Sequence, residues 1–66
     1  MGKDKIRTEL TREQAADKLA EIAEQLRKGG VSLGGKKGEI TVPDMIEFKA
    51  GLDDDELEIE LRWESD

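Results

Sequence analysis

The chain has 66 residues, a formal net charge of −6, 42% charged residues and neither Cys nor His. A chain of this length forms one small domain, residues 1–66, with a thin stability margin. The composition excludes a disulfide framework and a thiolate zinc site, the acidic charge disfavours nucleic acid as a partner, and no apolar run is long enough for a membrane span. The absence of Cys suits a reducing compartment, so a cytoplasmic location is expected.

The N-terminal part predicts a strand and then a helix. Residues 3–9 alternate in polarity and suggest a first strand with a lysine-rich, edge-like start. Thr11 and Gln14 have the spacing of a capping box, in which each side chain bonds the backbone N–H of the other residue. An apolar stripe and a Gly29 stop then predict a helix over 12–28. The stripe consists of Ala15, Leu19, Ile22 and Leu26, flanked by Ala16, Ala20 and Ala23.

Two short strands are predicted after the helix, over 31–33 and 39–42. Their apolar residues fall on one face if a turn of four residues spans 35–38. A loop over 43–45 then leads to the next strand, because a shorter turn would send Ile46 and Phe48 to the solvent side. The expected pairs are Val31 with Val42, Leu33 with Ile40, Val42 with Ile46, and Ile40 with Phe48.

The C-terminal part has the clearest strand pattern of the chain. Over 56–64, apolar and charged residues alternate without a break, which predicts a central strand with one covered face and one charged face. A strand over 46–50 precedes it, with a turn at 52–55. The expected pairs are Ala50 with Leu57, Phe48 with Ile59 and Ile46 with Leu61, and they leave Glu47 facing Glu60, an unfavourable like-charge pair.

These elements predict a two-layer α+β fold. One helix packs on one face of a mostly antiparallel five-stranded sheet, with the chain order β-α-β-β-β-β and the spatial order 1-5-4-3-2. Pairing of the first strand parallel to the second is the alternative arrangement. The chain is expected to be a monomer or a weak dimer. Its predicted core comprises Leu19, Ile22, Leu26, Phe48, Ile59, Leu61 and Trp63.

Several segments resemble one known family. The segment 11–16, followed by Leu19-Ala20, Leu26 and Gly29, is similar to the helix of the amphi-Trp domain family. The segment 42–44 and a last strand that ends in Leu61-Arg62-Trp63 resemble its second half. The resemblance covers nearly the whole chain and implies a small domain named for its amphipathic strand and Trp. It implies neither an activity nor a catalytic residue.

Few residues could carry chemistry. The sequence offers no general base for Ser32 or Ser65, and the chain lacks the Cys and His of common nucleophile–base pairs. We therefore expect no enzymatic activity. The acidic run 53–56 could hold a divalent cation, but it lacks the EF-hand spacing and is typical of a solvated turn. No metal, cofactor or catalytic residue is therefore predicted.

Two function classes remain for this chain. The first is a non-catalytic protein-interaction or scaffold module that binds a protein partner through the charged sheet face. The second is an anion or nucleic-acid binder that uses the glycine-rich loop at 34–38, whose amides and lysines could hold phosphate. The candidate residues are Lys49, Glu58, Glu60 and Arg62 for protein binding, and Lys36 and Lys37 for anion binding.

Overall fold

The computed structural model describes residues 7–64 and has an α+β architecture. Helix α1 is followed by four strands, and the strands form two separate antiparallel hairpins. Strands β1 and β2 make the first hairpin, and strands β3 and β4 make the second. The elements are α1 (Arg12–Lys28), β1 (Gly30–Val31), β2 (Ile40–Thr41), β3 (Glu47–Leu52) and β4 (Leu57–Arg62).

Helix α1 begins and ends where the sequence predicts. The Thr11 N–H donates to Gln14 Oε1 at 3.0 Å, and the Gln14 N–H donates to Thr11 Oγ1 at 3.1 Å, which completes the capping box. At the other end, Gly29 has φ 92° and ψ 12°, and its N–H donates to the Leu26 carbonyl at 3.0 Å. Both predicted ends are confirmed because each depends on hydrogen bonds within a few residues of sequence.

The register of the first hairpin is shifted by two residues from the expected one. Gly30 pairs with Thr41 and Val31 pairs with Ile40, so the predicted pairing of Val31 with Val42 is wrong. The Val42 N–H instead donates to the Gly29 carbonyl at 2.9 Å, which extends the ladder to the residue that ends the helix. The helix end therefore fixes where this hairpin begins.

The strand β1 is also shorter than predicted, because the chain leaves the ladder at Ser32. The Ser32 N–H donates to Gln25 Oε1 of the helix at 2.6 Å, and the Ser32 hydroxyl accepts from the Gly34 N–H at 3.2 Å. The predicted pair of Leu33 with Ile40 does not form. The connection between the strands spans 32–39, and the predicted four-residue turn at 35–38 is wrong.

The second hairpin keeps the predicted faces but not the predicted register. Phe48 lies opposite Leu61, Ala50 opposite Ile59, and Leu52 opposite Leu57, a shift of two residues in each pair. A shift of two leaves every side chain on its predicted face, since strand side chains alternate with period two. The predicted pairs Ala50 with Leu57, Phe48 with Ile59 and Ile46 with Leu61 are therefore wrong, whereas the separation into apolar and charged faces is confirmed.

Charge and turn chemistry account for this register. The expected like-charge contact of Glu47 with Glu60 is absent, and Glu47 faces Arg62 while Lys49 faces Glu60. Opposite charges across a strand pair are favourable and like charges are not. The turn then occupies 53–56, where the Asp53 N–H donates to the Glu56 carbonyl at 2.8 Å.

The single five-stranded sheet is not confirmed. In residues 7–64, β2 pairs only with β1 and β3 pairs only with β4, so the predicted pairs of Val42 with Ile46 and Ile40 with Phe48 do not form. Of the predicted first strand, residues 3–6 lie outside the described residues, and residues 7–9 are not in a strand.

The backbone of the helix does not come close to that of the second hairpin. Within residues 7–64, Cα atoms lie within 8 Å of each other between α1 and β1, between β1 and β2 and between β3 and β4, and between no other pair of elements. The radius of gyration is 12.8 Å, against about 11 Å for a compact chain of this length. No side chain of the described part is buried, so the predicted core is wrong. Ile22, Leu26, Leu61 and Trp63 are half-buried, whereas Leu19, Phe48 and Ile59 are exposed.

Candidate interaction site on the second hairpin

One face of the second hairpin is apolar along its whole length, and all of its large side chains except the half-buried Leu61 are exposed. Leu52 is 82% exposed, Phe48 64% and Leu57 60%. Soluble monomers rarely expose a contiguous apolar patch of several large side chains, and such patches mark interaction surfaces. This apolar face consists of Phe48, Ala50, Leu52, Leu57, Ile59 and Leu61.

The opposite face of the same hairpin carries the predicted protein-binding residues. Arg62 faces Glu47 and Lys49 faces Glu60, and Glu58 faces Gly51. Because three carboxylates meet two cations, neither sign dominates this surface. This charged face consists of Glu47, Lys49, Gly51, Glu58, Glu60 and Arg62.

The charged face contains an ion pair between Arg62 and Glu60 and an open space at Gly51. Arg62 Nε lies 3.5 Å from Glu60 Oε2, and both side chains are at least half exposed, at 62% and 50%. A Cβ added at Gly51 would have no heavy atom within 4 Å. The structure thus brings Lys49, Glu60 and Arg62 together, as predicted, and leaves open space at Gly51 opposite Glu58.

A shallow groove of about 640 Å³ lies at the open end of the hairpin. Trp63 forms part of its wall and is half-buried. The prediction that Trp63 lies in the core is therefore wrong. Met45, which the sequence predicts in a loop, also lines the groove and is 84% exposed. The groove is continuous with the hairpin because it is lined by Met45, Ile46, Glu47, Arg62, Trp63 and Glu64.

The helix presents a second apolar surface. Ile22 and Leu26 are half-buried, near the helix end that contacts β1. Leu19, one turn earlier, is 49% exposed. This helix stripe consists of Ala15, Leu19, Ile22 and Leu26. Only the part of this stripe nearest β1 is partly covered within the described residues.

The glycine-rich loop has the conformation of a turn. Gly34 has φ 83° and Gly38 has φ 70°, a backbone region that favours glycine. Lys36 and Lys37 lie between them and are exposed, as predicted. The next element is strand β2, so no helix N-terminus is available to complete a phosphate site of the P-loop type.

The remaining chemical candidates form local turn structures. In the run 53–56, the Asp54 N–H donates to the Asp53 carboxylate at 2.9 Å, as in ordinary turns. Among residues 7–64, no group of three or more acidic side chains has an arrangement that could hold a metal ion. The Ser32 hydroxyl is hydrogen-bonded to the Gly34 N–H, and Ser65 lies outside the described residues.

Comparisons with known proteins return no relative. No family model, curated protein or solved structure matches the chain. The resemblance to the amphi-Trp domain family therefore stays a prediction. In the described part of the chain, no helix combines the length and the apolar character needed to cross a membrane.

The sequence predicts the two faces of the second hairpin but not the exposure of the apolar one. The alternation over 56–64 predicted an apolar face, and the helix stripe was expected to cover it. In the structure, Phe48 and Leu57 of the apolar face and Leu19 of the helix stripe remain exposed. One available signal was the scarcity of large side chains, since the chain has only one Trp and one Phe with which to fill a core.

Proposed function

We propose that this domain is a non-catalytic protein-interaction module and that the second hairpin is its binding element. The observation that supports the proposal is the apolar face, on which Phe48, Leu52 and Leu57 are each at least 60% exposed. Burial of one such side chain contributes about 1.5–3 kcal/mol. Three of them would therefore offset much of the entropy that association costs, which is about 4–15 kcal/mol.

The charged face contributes specificity in this proposal. Lys49, Glu60 and Arg62 form a pattern of alternating sign, and Glu58 extends it toward the turn. Such a pattern selects a partner of complementary charge and speeds association more than it adds affinity. Both edges of the hairpin are open within residues 7–64, so further strands, including those of the predicted five-stranded sheet, can add there.

Membership of the amphi-Trp family and a cytoplasmic location belong to the same proposal. The family assignment is supported by the capping box at Thr11 and by the helix that ends at Gly29. The location is supported by the absence of Cys. The alternative function is binding of an anion or a nucleic acid through Lys36 and Lys37, and it is supported by their exposure between two glycines. The net charge of −6 argues against it.

Capture of partners from an extract of the host cell tests the proposal. The immobilised domain is compared with the double variant Phe48→Ser/Leu57→Ser, and bound proteins are identified by mass spectrometry. We expect capture to fall by about tenfold or more, because two apolar anchors are lost. Leu10→Ser is the matched control, since Leu10 is also exposed, at 43%, but lies outside the hairpin.

Two further variants separate the surfaces. Charge reversal by Glu58→Lys, Glu60→Lys and Arg62→Glu should weaken the same partner in a salt-dependent way. Lys36→Ala/Lys37→Ala should leave capture unchanged. Loss of capture in the lysine variant, with no change in either hairpin variant, would mean that the loop is the site and that the hairpin proposal is wrong.

A further inference from the structure

Strand β4 has one edge that joins no other strand within residues 7–64. The register of β3 and β4 is continuous over six residue pairs, and beyond the last pair the Asp53 N–H donates to the Glu56 carbonyl. Hydrogen-bonded and non-hydrogen-bonded pairs alternate along an antiparallel ladder. The backbone N–H and C=O groups of Leu57, Ile59 and Leu61 therefore point away from β3, and a further strand can pair with this β4 edge.

The edge of β3 is less suited to strand addition than the β4 edge. Lys49 lies on β3, and lysine on an edge strand discourages pairing with another chain. Gly51, also on β3, weakens a strand because it has no side chain to pack. Strand β4 contains no Lys, Pro or Gly, and its apolar and charged residues alternate without a break. The comparison favours β4 as the edge that a partner strand joins.

The charge of β4 indicates the chemistry of such a strand. Over residues 57–64, the acidic residues Glu58, Glu60 and Glu64 stand against one basic residue, Arg62. Arg62 Nε already lies 3.5 Å from Glu60 Oε2, and Glu58 faces Gly51, which has no side chain to pair with it. Opposite charges on neighbouring strands are favourable. A strand beside β4 is therefore favoured if it places basic residues opposite these glutamates.

The groove at the end of β4 favours the same kind of ligand. Trp63 and the 84% exposed Met45 give it apolar surface, and Glu47 and Glu64 add two carboxylates. Arg62, its basic lining residue, is already ion-paired. The stem of a long basic side chain can lie on apolar surface while its cationic end stays near carboxylates, and a cation is attracted to the face of a Trp ring. The groove and the β4 edge thus both suit a basic partner.

We infer that the β4 edge binds an extended, basic segment of a partner protein, in which apolar and charged residues alternate. The backbone of this segment pairs with the outward groups of β4, a mode of binding known as β-strand addition. Its apolar residues lie beside Leu57, Ile59 and Leu61 and extend the apolar face, and its basic residues lie opposite Glu58 and Glu60. The inference rests on the proposed function, since it names the edge and the chemistry through which the protein partner binds.

A synthetic peptide, acetyl-Lys-Val-Glu-Val-Lys-Val-Lys-Val-amide, tests the inference on the full chain. In antiparallel addition its Lys residues face the glutamates of β4 and its Glu faces Arg62. Backbone amide exchange is measured by NMR. The amides of Leu57, Ile59 and Leu61 should exchange rapidly in the free chain and about tenfold or more slowly with saturating peptide, because they become hydrogen-bonded. The Glu58 amide points toward β3 and should change little, so it is the internal control.

Matched variants test the role of charge. The charge-reversed peptide acetyl-Glu-Val-Lys-Val-Glu-Val-Glu-Val-amide should bind about tenfold or more weakly, and so should the original peptide to Glu58→Gln/Glu60→Gln. Glu9→Gln/Glu24→Gln removes the same charge from exposed positions outside the hairpin and should leave binding unchanged. Equal losses in the two variants of the chain would overturn the inference.

The remaining outcomes separate this inference from the proposed function. Slow exchange of the outward β4 amides before any peptide is added would show that another segment of this chain, or a second copy, already covers the edge. That result, failure of the peptide to bind, or protection at Phe48, Ala50 and Leu52 of β3 instead, would overturn the inference. In each case, capture that still depends on Phe48 and Leu57 would leave the proposed function standing. Peptide bound at β4, with capture independent of Phe48 and Leu57, would support the edge and overturn the role of the apolar face.

Discussion

The helix with its attached first hairpin and the separate second hairpin are organised in different ways. In the first region, side chains bond backbone groups at each junction: Thr11 and Gln14 at the helix start, and Gln25 and Ser32 at the exit of β1. In the second region, a regular ladder joins β3 to β4, and the side chains sort into an apolar and a charged face. Specific caps define the first region, whereas periodicity defines the second. Each region keeps its secondary structure without a buried core, so the contact between helix and sheet is a separate requirement.

The largest expected difference concerns packing inside the first region. Leu26→Ala should lower the free energy of unfolding of this region by about 2 kcal/mol, because Leu26 is half-buried and lies near β1. Far-UV circular dichroism of the helix in dilute solution measures the change. The fluorescence of Trp63 in the second region should be unaffected.

Leu19→Ala provides the control, since Leu19 is on the same stripe but 49% exposed. Its effect in dilute solution should stay within about 0.5 kcal/mol. If both variants shifted the helix and the Trp63 signals together, the two regions would unfold as one unit and the comparison would be wrong.

A smaller effect is expected at the junction of helix and first hairpin. Gly29→Ala should cost about 1 kcal/mol, because a Cβ is strained at φ 92°. Thermal unfolding followed by circular dichroism measures it. Gly30→Ala is the matched control, since the added Cβ would approach only the flexible Glu39 side chain, whose Oε2 would lie 2.6 Å away. Its effect should stay within about 0.5 kcal/mol, and equal losses would contradict the cap.

The smallest effect distinguishes the two possible registers of the second hairpin. Glu47→Lys should destabilise the hairpin by about 0.5 kcal/mol, because the new cation faces Arg62. In the register predicted from sequence it would face Glu60 and would stabilise. The double variant Glu47→Lys/Arg62→Glu should restore stability. Chemical shifts of the strand residues report the hairpin population, and a gain on Glu47→Lys alone would mean that the observed register is wrong.

Local signals explain why part of the fold was predictable. Thr11 and Gln14 are three residues apart, and Gly29 acts on its own helix, so the bounds of α1 could be read from the sequence. The faces of β3 and β4 could be read from alternation alone. Register could not be read in this way, because a shift of two residues preserves the faces. In the first hairpin, the Val42 N–H donates to the Gly29 carbonyl and the Ser32 N–H donates to Gln25 Oε1, and neither contact between helix and hairpin can be read from the polarity pattern.

The site was predictable in composition but not in exposure. Lys49, Glu60 and Arg62 were expected on one face and lie there. The openness of the apolar face could not be derived, because periodicity tells which side chains share a face and is silent on what covers them. The same limit applies to Trp63. Its position in the alternation predicts a buried core residue, whereas in the structure Trp63 lines an open groove.

The hydrogen bond from the Ser32 N–H to Gln25 has a consequence for the order of folding. The acceptor is a helix side chain seven residues earlier, so it is in position only after the last turns of α1 have formed. The first hairpin should therefore close only after the helix has formed, as the last part of one local folding phase. The second hairpin has only local contacts and should form independently, on the microsecond scale of isolated hairpins, about 1–10 μs. A kinetic trace should thus contain two fast local phases. Any step that joins the helix to the second hairpin should come last.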